Sequence, residues 1–345
     1  MNQELKDKRI NDLIALFTKG QIEQCISQGK KVLKMYPNEP FLFNILGITH
    51  AAKGLLAESL NYYEKAIDLN PSYFEVFNNM GVAYNDWKKP KEAISCLKKA
   101  IGIQPTYAEA FNNIGNSYKE LSDFDNAVIS YKKAIDLAPT YTDALCNLGI
   151  CWSLQEKYEQ AEATYKKALE IDPGHSKTRY YLGDLYFGMG KYPLVRSYLL
   201  EFVDSSFSDP QIYNLIGKSY QKEGSIKALH YYREALALNN KNKETFNNIG
   251  SFLYEKRKLN YAIGYFKKSL EIDPQNMNPK LNLAYCYLSL GLFKQGWEKH
   301  EYRWKVDPLN KAEWPIEGRL LWEGKRDSDI VLWREQGIGD ELIFL

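Results

Sequence analysis

Pro37, Pro71, Pro105, Pro139 and Pro173 stand 34 residues apart, and each closes a stretch that resembles the one before it. A fixed period of this length marks a helical repeat array, in which each unit buries its apolar face only against its neighbours. Such an array grows by stacking, so a length of 345 residues does not here imply two or three globular domains. It also offers a long surface rather than a pocket, which makes the first functional question what that surface holds.

Aligning the prolines exposes further columns. Gly47, Gly81, Gly115, Gly149 and Gly183 follow ten residues behind them, continued by Gly217 and Gly250 and then by Ala284. A second small-residue column reads Cys25, Ser59, Ala93, Ala127, Ala161, Val195, Ala228, Ala262 and Gly296, and a third reads Ala66, Ala100, Ala134, Ala168 and Ala235. Large residues recur between them, as in Phe43, Phe77, Phe111 and Phe246. Two antiparallel helices per unit account for this: small residues let backbones approach where helices cross, and aromatics three or four residues away fill the groove. Proline ends the second helix because it has no N–H to donate and restricts the residue before it. Ser72 with Glu75 and Thr106 with Glu109 read as capping boxes opening the next helix, and Thr140 with Asp143 and Ser208 with Gln211 follow the same logic.

These columns resemble the tetratricopeptide repeat (TPR), with its glycine at position 8, alanines at 20 and 27 and proline at 32. Repeats then begin at residues 6, 40, 74, 108, 142, 176, 210, 243 and 277, an array over 6–310 followed by a distinct segment over 311–345. The resemblance implies an all-α, right-handed superhelix (α-solenoid) whose first helices line the concave side and bind proteins or extended peptides. Phe202 and Phe207 replace the expected alanine and proline, and the next unit is one residue short around QKEGSI, with Asn240 in the proline place. That break reads either as a hinge or as a degenerate repeat with unchanged stacking.

The candidate binding stripe is rich in asparagine. Asn78 and Asn79, Asn112 and Asn113, and Asn247 and Asn248 form pairs at positions 5 and 6, joined by Asn44 and Asn214 at position 5 and Asn147 and Asn282 at position 6. Asparagine carries donors and an acceptor, so a ladder of them can hold the backbone of an extended peptide without reading its side chains. The column resembles the asparagine ladder in the TPR arm of O-linked N-acetylglucosamine transferases. The competing reading is that these amides bridge neighbouring helices. No lysine stands at position 5, which argues against the carboxylate clamp of TPR co-chaperones.

Lys+Arg 45 against Asp+Glu 43 leaves a formal charge of +2, which gives no support for nucleic acid as partner. The lysine pairs Lys98 and Lys99, Lys132 and Lys133, Lys166 and Lys167, and Lys267 and Lys268 read as a solvated outer face. His50, His175, His230 and His300 occupy unrelated repeat positions with no spacing suited to zinc. Five cysteines without a CxxC pair read as buried free thiols of a reducing compartment. No secretory leader or membrane-spanning run is legible, so the expected location is cytoplasmic, and no cofactor is expected for the repeats.

Composition shifts after the repeats. Trp297, Trp304, Trp314, Trp322 and Trp333 fall in the last fifty residues, and the period stops after Pro308. Residues 329–333 read as a short buried strand, running through Gly337, Gly339 and Asp340 into an opening helix. The stretch from GWEKHEYRW to LWREQGIGDE resembles the junction at which bacterial proteins fuse TPR arrays to a domain of the heptosyltransferase and O-GlcNAc transferase type. By that resemblance Asp340 is a catalytic base, Gly337 and Gly339 let the backbone approach the substrate, and a nucleotide sugar is the ligand of the missing catalytic part. The alternative for Asp340 is a helix cap, and for the whole chain a stand-alone interaction scaffold. Because Leu345 lies one turn into that helix, the expectation is of a shortened frame that lacks the donor site.

Overall fold

The computed structural model describes residues 2–203, 209–300 and 302. Its helices come in antiparallel pairs: α1 (Asn2–Thr18) with α2 (Ile22–Met35), α3 (Pro40–Ala52) with α4 (Leu56–Leu69), and α5 (Phe74–Asp86) with α6 (Pro90–Ile103). Next come α7 (Ala108–Glu120) with α8 (Phe124–Leu137), α9 (Thr142–Leu154) with α10 (Tyr158–Ile171), and α11 (Ser176–Gly188) with α12 (Tyr192–Val203). The rest are α13 (Pro210–Lys222) with α14 (Lys227–Leu238), α15 (Lys243–Glu255) with α16 (Leu259–Ile272), and α17 (Met277–Ser289) with α18 (Phe293–His300). Among the described residues there is no strand, and the architecture is an all-α helical-repeat solenoid. Contacts divide it into two compact units, the first ending at Lys241 and the second beginning at Asn242.

The glycine column has a sharper cause than close helix approach. A Cβ built on Gly115 would stand 2.5 Å from the Tyr131 ring, one on Gly217 2.5 Å from Tyr232, and one on Gly81 2.5 Å from Leu97. A large side chain of the second helix therefore occupies the volume of the missing Cβ. The alanine columns complete the fit: Ala93, Ala100, Ala127, Ala134, Ala161 and Ala168 are fully buried. Phe202, in an alanine place, is also buried, with the Arg179 guanidinium 4.7 Å above its ring.

Every turn within a pair is closed in the same way. Lys89 N–H reaches the Tyr84 carbonyl at 2.8 Å while Lys88 N–H reaches that of Asn85 at 3.0 Å, the two bonds of a Schellman motif. The motif places one residue at positive φ, and it recurs at the same point in all nine described turns. Glycine holds the point at Gly20, Gly54, Gly190, Gly224 and Gly291, whereas Lys88, Ser122, Glu156 and Arg257 adopt φ between 58° and 61° there. The short unit keeps this geometry, since Ser225 N–H bonds Tyr220 O and Gly224 N–H bonds Gln221 O. Its missing residue falls just after, and α14 is 12 residues long where α10 and α16 have 14.

Proline is not required to stop the second helix. α14 ends at Leu238 with Asn239 extended (φ −141°, ψ 94°) although Asn240 follows, and α10 ends at Ile171 with Asp172 at φ −129°, ψ 91° ahead of Pro173. The starts of the first helices also differ from the capping boxes read above. α5, α7 and α9 begin one residue later than expected, with Tyr73, Tyr107 and Tyr141 at the N-cap and no side-chain cap bond. The Ser72 hydroxyl instead donates to Asn70 Oδ1 at 2.9 Å. Ser208 lies outside the described residues, and Asp209 caps α13 by accepting from Gln211 N–H at 2.8 Å. No helix among the described residues is long and apolar enough to cross a membrane.

Candidate peptide-binding face

The first helices of the pairs carry the asparagines, and the structure joins them in a fixed register. Asn79 Nδ2 donates to Asn44 Oδ1 at 2.9 Å, Asn113 to Asn78 at 2.9 Å, and Asn147 to Asn112 at 2.9 Å. In the second unit Asn282 Nδ2 donates to Asn247 Oδ1 at 3.0 Å. Each bond runs from position 6 of one repeat to position 5 of the repeat before it, a separation of 35 residues. Bridging between helices is thus an observed role of these amides.

The rungs are also linked to one another. Asn112 Nδ2 lies 3.5 Å from Asn113 Oδ1, so α5, α7 and α9 share one chain of amides. At its end Lys177 Nζ on α11 donates to Asn147 Oδ1 at 3.0 Å. The chain stops there because Cys146 and Tyr181 replace the next pair, and Tyr180 and Leu215 the one after. Tyr73 Oη takes part from the side, 3.5 Å from Asn44 Nδ2. Burial pushes the Tyr141 phenol up to about 12, with the Glu109 carboxylate adding to the shift.

Satisfying these groups internally buries most of them. Asn78, Asn112, Asn113 and Asn147 are buried, Asn79 is half-exposed, and Asn282 is half-buried. Asn214 is buried on α13 and Asn248 half-buried on α15. Beside the rungs runs a stripe of more open side chains: Val82, Asn116, Ile150, Asp184 and Lys218 at successive repeats. Burial raises the Asp184 carboxyl above its ordinary range, and the Lys218 ammonium opposes that shift. The acids Glu75, Glu109 and Asp143 flank the stripe in α5, α7 and α9, and Lys177 stands at the equivalent place in α11.

His175 takes the N-cap place held by tyrosine in the three preceding repeats. Its Nδ1 lies 2.6 Å from Thr178 Oγ1 and its Nε2 3.5 Å from Asp143 Oδ1, so it ties α11 to α9. Burial also pushes up the thiol of Cys146 on α9. This cluster is closed to solvent at the thiol and makes a structural tie rather than a reactive centre. No group of three or more His, Cys, Asp or Glu among the described residues is placed to hold a metal. Asp340, Gly337 and Gly339 lie outside the described residues.

Lys177, Tyr73 and Tyr141 were not among the candidates read from the sequence. The signal for the tyrosines was present, since Tyr73, Tyr107, Tyr141 and His175 keep the same 34-residue spacing as the prolines.

Family comparison agrees with the geometry. The tetratricopeptide repeat family model matches residues 74–107, 108–141 and 142–175, related tetratricopeptide repeat models match 164–194 and 244–276, and a TPR repeat model matches 47–86. Together these spans cover just over half of the chain. Among solved structures, the APC/C hetero-tetramer Cut9-Hcn1 aligns with TM-score 0.58 and 16% identity over 83% of this chain. This chain spans 56% of the length of that one. A tetratricopeptide repeat protein from Parabacteroides merdae aligns with TM-score 0.57 and 18% identity, over 72% of this chain and 98% of that one. An IFIT1 monomeric mutant with m7Gppp-AAAA aligns with TM-score 0.60 and 15% identity, over 88% and 72%. At these identities the likeness is one of fold. No curated protein matches the sequence.

Proposed function

Because the chain belongs to the tetratricopeptide-repeat family, we infer that it is a protein-binding scaffold whose first helices receive an extended peptide. The observation that supports this most is the ordered run of amides along α3, α5, α7 and α9, with open side chains beside it. Successive first helices touch one another, α3 on α5, α5 on α7, α7 on α9, with no comparable contact between successive second helices among the described residues. In a curved stack the layer with the closer spacing is the inner one, which is where a ligand meets the most surface. Asn79, Asn113 and Asn147 each spend one N–H on the neighbouring amide, and an amide carries two, so bridging and peptide capture draw on different hydrogens.

Selection from a random-sequence peptide library on the whole chain tests this reading. Peptides should be captured, and Asn79→Ala should weaken them more than it lowers the melting temperature, since Asn79 is the most open rung of the first unit. Failure to capture any peptide, or capture indifferent to Asn79, would remove the ladder as the binding face.

The resemblance of residues 296–341 to TPR–glycosyltransferase junctions supports a finer reading, in which the array recruits protein acceptors for sugar transfer from a nucleotide donor. Asp340 would then take the acceptor hydroxyl proton. In any sugar-transferring form of the protein Asp340→Asn should abolish turnover while peptide capture persists; unchanged turnover would remove Asp340 from that role.

A further inference from the structure

We infer that the second unit carries a receptor for a tryptophan side chain, formed between α15 and α17. A cavity of about 250 Å³ opens there, lined by Ser251, Tyr254 and Glu255 of α15, Phe266 of α16, and Asn282 and Tyr285 of α17. The inference deepens the peptide-binding reading, on which it rests only in supposing that the tryptophan arrives on a polypeptide.

The rung that borders this cavity is unfinished. Asn282 Nδ2 donates to Asn247 Oδ1 at 3.0 Å and, more distantly at 3.5 Å, to Ser251 Oγ. Its Oδ1 accepts nothing from the described residues. In the first unit the same oxygen is taken on Asn113 by Asn112 Nδ2 and on Asn147 by Lys177 Nζ. On Asn79 it is open too, but there Ile48, Ala51 and Val82 hold the repeat positions of Ser251, Tyr254 and Tyr285. At Asn282 the open oxygen is met by rings instead. Tyr254 is held by its hydroxyl, 3.3 Å from Ser289 Oγ, and Tyr285 by the His300 ring, 5.7 Å away edge-on. The buried Phe266 is the third ring of the lining.

Size and chemistry together select the occupant. Pockets for whole small molecules run from roughly 300 to 1,000 Å³, so this cavity suits one large side chain of a longer ligand. Three rings favour an aromatic guest, since offset and edge-to-face pairs gain more than the area they bury. The vacant Asn282 Oδ1 asks that guest for a donor. Tryptophan brings both, a broad ring system and an indole N–H that donates and never accepts, and it loses only two side-chain torsions on binding. Phenylalanine or leucine would desolvate the Asn282 oxygen and give it nothing in return. Tyrosine can donate but fills less of the volume, and ranks second. A carboxylate has no donor to offer. Glu255 is exposed and already has a partner, so a cation would find no vacant counter-charge to offset the water it sheds.

The test is an NMR titration of the whole chain with N-acetyl-tryptophanamide, alongside the phenylalanine, leucine and arginine analogues. The tryptophan compound should give saturable shifts confined to α15, α16 and α17, with a dissociation constant on the order of a millimolar, as expected for so few atoms. The phenylalanine compound should bind about fivefold more weakly for want of a donor, and the leucine and arginine compounds more weakly still. Asn282→Ala should erase the margin of tryptophan over phenylalanine, which a loss of stability alone would not do. Tyr285→Ala should weaken tryptophan about fivefold, and Tyr261→Ala, exposed on α16 and outside the lining, should leave it unchanged. No saturable shifts from tryptophan, equal binding of phenylalanine or arginine, a margin that survives Asn282→Ala, or indifference to Tyr285→Ala would overturn the receptor. If peptides are captured while the tryptophan compound fails, only this inference falls; if tryptophan binds here and no peptide is captured, only the peptide-binding reading falls.

Discussion

The ring of Phe266 stands where a side chain on Gly250 would have to go: a Cβ there would lie 2.6 Å from the ring carbon Cε1. Gly264, on the helix that carries Phe266, has nothing within 4 Å of the same construction. One substitution should therefore act with opposite signs at two places in one unit. Gly250→Ala should destabilise by about 1–3 kcal/mol through overpacking, whereas Gly264→Ala should stabilise by roughly 0.5–1 kcal/mol through helix propensity. Urea denaturation of the two variants decides it, and equal shifts would mean the ring can move aside.

The bond between Asn147 and Asn112 can be weighed in the same way. Asn112→Ala leaves a buried amide without its acceptor, which should cost about 1–3 kcal/mol. Asn112→Ala with Asn147→Ala should cost less than the sum of the two singles, because each removes the same bond. A strictly additive pair would show that the rung contributes nothing as a bond.

Four turns hold a side chain where glycine would be free of strain. Replacing Lys88, Ser122, Glu156 or Arg257 by glycine should raise stability by up to about 1 kcal/mol each, the order of the left-handed penalty less the entropy glycine adds to the unfolded chain. Lys88, Ser122 and Glu156 lie in separate repeats of the first unit, so their gains should sum. The reading is a shift in denaturation midpoint for each single variant and for the triple.

Asp184 gives a pH dependence with a definite sign. Its carboxyl is raised from 3.8 by burial, so the folded state holds the proton more tightly than the unfolded chain does. That favours folding at low pH and is lost as pH rises through the raised value. Asp184→Asn should therefore increase the melting temperature at pH 7 and bring little gain at pH 3. A gain that is the same at both would mean the carboxylate is not desolvated.

Much of this was legible in the sequence because repetition amplifies weak signals. The glycine and alanine columns named the crossing points, and the pairing of Gly115 with Tyr131 is the same contact seen again at Gly217 and Tyr232. The turns were less legible: the position that needs positive φ carries Lys88, Ser122, Glu156 and Arg257 in four of the nine turns, so no glycine column marks it. The helix starts were misplaced by one residue because hydroxyl-and-acid spacing looked like capping, while the N-cap is a tyrosine that packs back on the preceding repeat. The asparagines were visible as pairs, but not their partners. A bond over 35 residues joins position 6 to position 5, an offset of one residue from the repeat that only the tilt between neighbouring helices reveals. Lys177 gave no sign at all, being one lysine among many until the fold set it against Asn147.

The amide chain from Lys177 through Asn147, Asn112 and Asn113 to Asn78 donates in one direction throughout. Its dipoles add instead of cancelling, with a fixed positive charge at one end. The face therefore has a head and a tail, and a polypeptide laid along it meets a different field from the same polypeptide turned end for end.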